Sequence, residues 1–116
     1  MTYRGMLDET AFVTLDGAGA GTARLGPLTA REIWYPANAS VKANSAPTNE
    51  AQCQLFVGQT ATAENFRDLT FSGSSGDSSG KVDGKPVKKG EFIFAVWTGG
   101  DAGQRAQLNV TGGKDV

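Results

Sequence analysis

Residues Glu91 to Gly112 read EFIFAVWTGGDAGQRAQLNVTG, two apolar segments separated by a glycine-rich turn. Apolar residues recur at every second position of both segments, which is typical of strands with one face on a core. The pattern predicts a β-hairpin with an exposed turn at Gly99–Gly103. Its predicted core-facing side chains are Phe92, Phe94 and Val96 on the first strand and Ala106, Leu108 and Val110 on the second.

The rest of the chain contains further short segments of this kind. Ala11 to Leu15 alternates and is followed by Asp16-Gly17, so a second hairpin with Thr22 to Leu28 is predicted. Ala61 to Arg67 predicts one helical turn, with Thr62 as its cap. The other predicted strands are Arg31 to Tyr35, Ser40 to Ala43, Ala51 to Val57 and Arg67 to Phe71. About eight short antiparallel strands at this spacing predict a jelly-roll-like β-sandwich.

Composition supports a single all-β domain. The chain has 116 residues, about one domain, and its 16 glycines lie between short apolar runs. We expect an N-terminal arm over residues 1–10, the β-sandwich over residues 11–112 and a C-terminal tail over residues 113–116.

Charge and hydropathy argue against nucleic acid and membrane partners. Eleven Lys and Arg against twelve Asp and Glu give a net charge of -1, without the basic footprint of a nucleic-acid binder. No segment approaches the roughly 20 apolar residues of a membrane span, and the N-terminus lacks the apolar run of a secretory signal. We therefore expect synthesis in the cytoplasm.

Catalytic residue types are scarce. Cys53 is the single cysteine and the chain has no histidine, which excludes an internal disulfide, a cysteine-based zinc site and a Cys-His nucleophile. Cys53 alternates with polar neighbours and is expected to be a buried free thiol. We expect no catalytic residues, no cofactor and no metal, and hence no enzyme.

Two glycine-rich segments are interpreted as connections. Gly17 to Thr22 superficially resembles a phosphate-binding loop, but no lysine follows its last glycine and the next segment is strand-like. Ser72 to Lys81 reads SGSSGDSSGK and is predicted to be a mobile surface loop.

Candidate partner contacts lie in four places. Four lysines between Lys81 and Lys89 form a lysine-rich turn, which is either a solvated loop or a basic patch that binds an acidic neighbour. The N-terminal segment Met1 to Glu9 is either a clamp that orders on a partner or a frayed terminus. The adjacent aromatic residues Trp34 and Tyr35 are expected in the core by default. If they were exposed, they would suit stacking on a sugar or a protein interface. The fourth place is the turn that contains Asp101. The candidate contacts are Tyr3, Met6, Leu7, Trp34, Tyr35, Lys85, Lys88, Lys89 and Asp101.

Three segments carry a resemblance to a known class of proteins. They are QCQLFVGQ (Gln52 to Gln59), NFRDLTFSGSSGDSS (Asn65 to Ser79) and AVWTGGDAG (Ala95 to Gly103), the last being the most specific. Together they resemble small β-sandwich virion proteins of tailed phages of actinobacteria. The resemblance covers about the C-terminal two-thirds of the chain and brings no catalytic residues with it.

The resemblance implies a capsid decoration protein or a minor tail module. For the first, we expect an oligomer, with a trimer favoured, that binds the major capsid protein on the outer surface of the virion, because many copies strengthen attachment. The alternative is a receptor- or carbohydrate-binding module of a phage tail or fibre, since fold does not settle function.

Overall fold

The computed structural model of the chain describes residues 5–43, 51–71, 77–82 and 85–115. Within them lie eight strands and one short 3-10 turn, Ala63–Asn65. The strands are β1 (Gly5–Thr14), β2 (Gly21–Leu25), β3 (Ile33–Lys42), β4 (Gln52–Gly58), β5 (Phe66–Phe71), β6 (Asp77–Lys81), β7 (Phe92–Thr98) and β8 (Arg105–Asp115).

The strands form two antiparallel sheets of four, in the orders β1-β8-β3-β6 (sheet I) and β2-β7-β4-β5 (sheet II). Four pairs are nested along the chain, β1 with β8, β2 with β7, β3 with β6 and β4 with β5. Such nesting is a long antiparallel ribbon rolled on itself, and the additional pairs β3·β8 and β4·β7 close each sheet. An eight-stranded double sheet of this kind is a jelly roll, so the fold prediction is confirmed.

The core lies between the two sheets and is built from alternate residues of the strands. On β8, Ala106, Leu108 and Val110 are fully buried as predicted, and polar residues occupy the positions between them. Sheet II contributes Cys53, Leu55, Val57, Ile93, Ala95 and Trp97.

The predicted phase of β7 is wrong. Ile93, Ala95 and Trp97 face the core, so Phe92, Phe94 and Val96 project from the opposite face of sheet II. Six consecutive positions of this strand are apolar, and alternation therefore cannot distinguish its two faces.

Both predicted hairpins are wrong as well. β7 belongs to sheet II and β8 to sheet I, and the same division separates β2 from β1. The glycine-rich turns reverse the chain where they were expected, but each carries it from one sheet to the other. Turn residues indicate a reversal without indicating which sheet the next strand joins.

Several boundaries also differ from expectation. β1 pairs with β8 from Gly5 onward and β8 continues to Asp115, so the sandwich extends into the expected arm and tail. β3 is one strand that passes a bulge between Pro36 and Asn38. The end of the expected loop Ser72 to Lys81 is strand β6, and its beginning lies outside the described residues.

The predicted helical turn is present as Ala63–Asn65, although the side chain of Thr62 makes no capping hydrogen bond. No helix in the described part of the chain is long and apolar enough to cross a membrane.

Candidate functional site

The lysine-rich turn is anchored to the sandwich. The backbone of Val87 exchanges two hydrogen bonds with Trp34, at 2.9 and 2.8 Å, and the amide of Lys88 donates to Oε1 of Glu91 at 3.0 Å. The side chains of Lys85, Lys88 and Lys89 are exposed. The three predicted contacts are therefore exposed charges on a turn whose backbone is held at Val87 and Lys88, and we call them the basic surface.

Trp34 is 4% exposed and cannot stack on a sugar or anchor a partner. Its indole Nε1–H donates to Oε1 of Glu32 at 2.6 Å, and the same oxygen lies 3.6 Å from Nζ of Lys114. Tyr35 is half-buried, with its hydroxyl donating to Oδ2 of Asp115 at 3.2 Å. The aromatic pair and these charged groups stabilise one end of the sandwich, which is the core role expected by default.

The N-terminal contacts are divided by the pleat of β1. Met6 is 85% exposed, whereas Leu7 is 1% exposed and belongs to the core. Leu7 is therefore no partner contact in this conformation, and Tyr3 lies outside the described residues.

The turn Gly99–Gly103 contacts the loop that follows β1. The amide of Gly103 donates to the carbonyl oxygen of Leu15 at 2.9 Å, and Gly100 donates to Gly19 at 3.0 Å. Asp101 is half-buried in this turn. The turn is exposed on one side only, because its other side packs on the neighbouring loop.

A second apolar surface lies outside the core, and the sequence predictions did not include it. It is the outer face of sheet II, which we call the aromatic face. Its exposed side chains on β5 are Phe66, Leu69 and Phe71, and these adjoin Phe92 and Val96, which are half-buried, and Phe56 and Phe94, which are each 7% exposed. Successive apolar residues in FIFAVW and in LFV indicate apolar character on both faces of β7 and β4, and this was the available sequence signal.

Strand register arranges the aromatic face in rows, because directly opposed residues of antiparallel strands share a face. The first row crosses the sheet from β2 to β5 as Arg24, Phe94, Phe56 and Phe66. The second row crosses it as Thr22, Val96, Gln54 and Leu69. A third row runs from β7 to β5 as Thr98, Gln52 and Phe71.

Aromatic rings pack edge to face both between β4 and β5 and along β7. The ring centroids of Phe56 and Phe66 lie 5.8 Å apart, and those of Phe92 and Phe94 lie 5.7 Å apart. The guanidinium of Arg24 sits 4.5 Å from the centroid of Phe92, a cation–π contact at the β2 edge. Phe66 is nevertheless 43% exposed.

A shallow depression opens at the β5 side of the aromatic face. Its volume is about 470 Å³, and its lining residues are Gln54, Phe56, Ala61, Ala63 and Phe66. Nδ2 of the Asn65 side chain donates to the carbonyl oxygen of Thr60 at 2.8 Å and holds the 3-10 turn that forms the rim of this depression. Apolar walls with one amide favour an apolar side chain or a small ring as occupant.

The outer face of sheet I is polar by contrast. Nδ2 of Asn109 donates to Oδ1 of Asp8, the carbonyl oxygen of Glu9 and Oγ1 of Thr10, at 2.9, 3.1 and 3.0 Å. Phe12 is exposed at the edge of this face and is covered in part by the Arg105 guanidinium, 3.9 Å from its ring centroid. The sandwich therefore has one outer face suited to water and one suited to a partner.

Cys53 is fully buried, and this burial raises the pKa of its thiol to about 12, although a hydrogen bond with the backbone of Val96 acts in the opposite direction. Such a thiol is protonated at neutral pH and is a poor nucleophile. Among the described residues no three histidine, cysteine or carboxylate side chains converge as metal ligands would.

No protein-family model matches this chain, and no curated protein matches it either.

Proposed function

We propose that this protein is a non-catalytic structural component of a phage virion, a decoration protein that binds the major capsid protein on the outside of the shell. The aromatic face carries the proposal. Apolar side chains on three neighbouring strands, β7, β4 and β5, cost solubility in an isolated chain where they are exposed, and such surfaces usually mark a site of protein contact. The jelly-roll fold and the resemblance of Ala95 to Gly103 to phage virion proteins support the same assignment.

A sandwich with one polar and one apolar outer face suits a protein that binds a shell. One outer face is polar, with Asn109 hydrogen-bonded to Asp8 and Thr10 of the neighbouring strand, while the opposite face is apolar and available for assembly. Assembly into an oligomer, for which the sequence favours three copies, would multiply weak individual contacts with the shell. The basic surface of Lys85, Lys88 and Lys89 suits carboxylates of the capsid protein and would accelerate association.

A tail or fibre module that binds a carbohydrate is the second candidate. The depression beside Phe66 favours it, because a half-exposed ring next to the amide of Gln54 offers a stacking surface and a hydrogen-bonding group. Trp34, the other ring considered for this role, is buried and contributes nothing to it.

Labelling of intact virions separates these candidates. Antibody against this chain, imaged by negative-stain electron microscopy, should decorate the whole head. Label confined to the tail tip would contradict the decoration role and favour the tail module.

The contribution of the N-terminal segment can be tested without disturbing β1. Met6→Asp places a charge on an exposed outward position, and Thr14→Asp is a matched control on the same face of the same strand. If the segment clamps the shell, only the Met6 variant should lose occupancy on undecorated capsids. Equal occupancy of both variants would rule out Met6 as a clamp contact.

A further inference from the structure

We infer that the aromatic face is the contact between two copies of this chain, packed face to face about a two-fold axis that runs parallel to the strands of sheet II. This inference goes beyond the proposed function: it assigns the aromatic face to self-association, which leaves the exposed lysines Lys85, Lys88 and Lys89 and the exposed Met6 as the contacts available to a shell.

The pattern of β7 supports a covered outer face. Its FIFAVW segment is apolar at every position, as in strands that are buried on both sides. β8, by comparison, alternates polar and apolar residues and has one solvated face. Within a single chain the outer face of β7 is covered in part, since Phe94 is only 7% exposed, and the uncovered apolar side chains of this face are Phe66, Leu69 and Phe71 of the neighbouring β5 edge. The aromatic face therefore continues into an exposed apolar strip that a second surface can cover.

A second copy presents a complementary surface to this face. Rotation about an axis parallel to the strands reverses the strand order, so that β2 of one copy lies over β5 of the other and β7 lies over β4. Arg24 then faces Phe66 of the second copy, and Phe94 faces Phe56. The first of these pairs sets a cation on a half-exposed ring, whereas Phe94 and Phe56 are each only 7% exposed and add little contact.

Charge also distinguishes this axis from the alternative. At the β5 edge the guanidinium of Arg24 would arrive beside the exposed carboxylate of Glu64, which belongs to the 3-10 turn next to Phe66. An axis perpendicular to the strands and along the first row would instead place Arg24 over Arg24 of the second copy, and opposed like charges disfavour association. The strand-parallel axis is therefore the complementary one.

The available area sets the expected strength. Four strands about 4.8 Å apart and about six residues long present a flat area of roughly 400 Å² per copy, about half of the 800 Å² per partner in a standard interface. The pair should therefore be weak and concentration-dependent. It contains two copies, unlike the trimer that the sequence favours.

Sedimentation equilibrium of the full chain over a range of concentrations tests the pair. The wild type should fit a monomer–dimer equilibrium, and Phe66→Ser should weaken it at least tenfold. Phe12→Ser is the matched control, because Phe12 is 50% exposed and lies on the outer face of sheet I, so its dissociation constant should equal that of the wild type. Urea midpoints of both variants confirm that they fold.

Cross-linking of introduced cysteines with a bismaleimide whose spacer is about 10 Å tests the axis, because facing residues of stacked sheets lie about 10 Å apart, beyond the reach of a disulfide. Thr22 and Leu69 lie at opposite edges of one sheet, about 14 Å apart across three strand spacings. In the proposed pair each faces the other residue across the interface. A chain carrying both Thr22→Cys and Leu69→Cys should form a covalent dimer, whereas either single variant should not, and buried Cys53 should not interfere.

Four results would overturn the inference: a monomer at every concentration, a trimer whose mass Phe66→Ser leaves unchanged, equal weakening by Phe12→Ser, or a covalent dimer of the Thr22→Cys single variant. Shell binding is measured separately. A monomer whose capsid or glycan binding is lost with Phe66→Ser would assign the face to that partner instead and leave the proposed function, or its alternative, standing.

Discussion

Gly19 and Gly100 are in direct backbone contact where the two glycine-rich connections cross. The amide of Gly100 donates to the carbonyl oxygen of Gly19 at 3.0 Å, which ties the β1–β2 connection to the β7–β8 connection. Oδ1 of Asp16 fixes the first of these loops by accepting from the amides of Ala18 and Ala20, at 2.9 and 3.0 Å. Both connections pass between the sheets, so their contact closes one end of the sandwich.

Gly19→Ala should destabilise the fold by at least about 2 kcal/mol, because Gly19 has a φ of 74° and an added Cβ would overlap the backbone of Gly100. Gly17→Ala is the control in the same loop, since its added Cβ would meet no atom within 4 Å. Urea unfolding should show a large loss for the first variant and almost none for the second. Equal stability of the two variants would contradict the described crossing.

Asp68→Ala should cost about 1 kcal/mol, because Oδ2 of Asp68 accepts the amide of Lys81 at 2.8 Å and joins β5 of sheet II to β6 of sheet I. Asp68→Asn keeps an acceptor without the charge and should lose less. Thermal unfolding monitored by circular dichroism measures both variants. Similar losses for Ala and Asn would show that charge matters here more than the hydrogen bond.

Cys53 should make stability fall at alkaline pH. Burial raises the pKa of its thiol from 9.0 in the unfolded chain to about 12, so the folded state holds the proton more tightly between these values. Its contribution is complete below about pH 9 and is lost as the pH rises toward 12. Urea midpoints of wild type and Cys53→Ala should therefore diverge in slope above pH 9, and parallel curves would contradict this account.

The same burial governs reactivity. An aromatic disulfide reagent at pH 8 should leave the thiol of the folded protein unmodified and react once urea is added. Rapid modification of the folded protein would show that the Cys53 strand opens easily.

Alternation allowed the sequence to predict β8 but not the phase of β7. Polar residues such as Gln107 and Asn109 mark the solvated side of β8, and Leu108 between them can only face the core. β7 has no polar residue before Thr98, so both of its faces look equally suited to a core. The aromatic face was missed for that reason.

The sequence also could not show which sheet each strand joins after a turn. Asp16-Gly17 and Gly99-Gly100 correctly indicate chain reversals, yet a reversal within one sheet and a crossing between sheets use similar turn residues. The two strands predicted at Arg31 to Tyr35 and Ser40 to Ala43 are one, because β3 passes Pro36, which cannot donate to a strand ladder, with a bulge. Whether a predicted partner contact is accessible depends on its burial, which the sequence does not show. In the packed sandwich Leu7 and Trp34 face inward, whereas Met6 faces solvent.

The proposed decoration role is tested most directly by co-sedimentation of the purified full chain with undecorated capsids of the phage that encodes it. Binding should be saturable, with a fixed number of copies per shell, and should weaken when Lys85, Lys88 and Lys89 are all changed to Glu, a variant whose exposed positions leave the core intact. Folded protein that stays in the supernatant at every concentration would contradict the role.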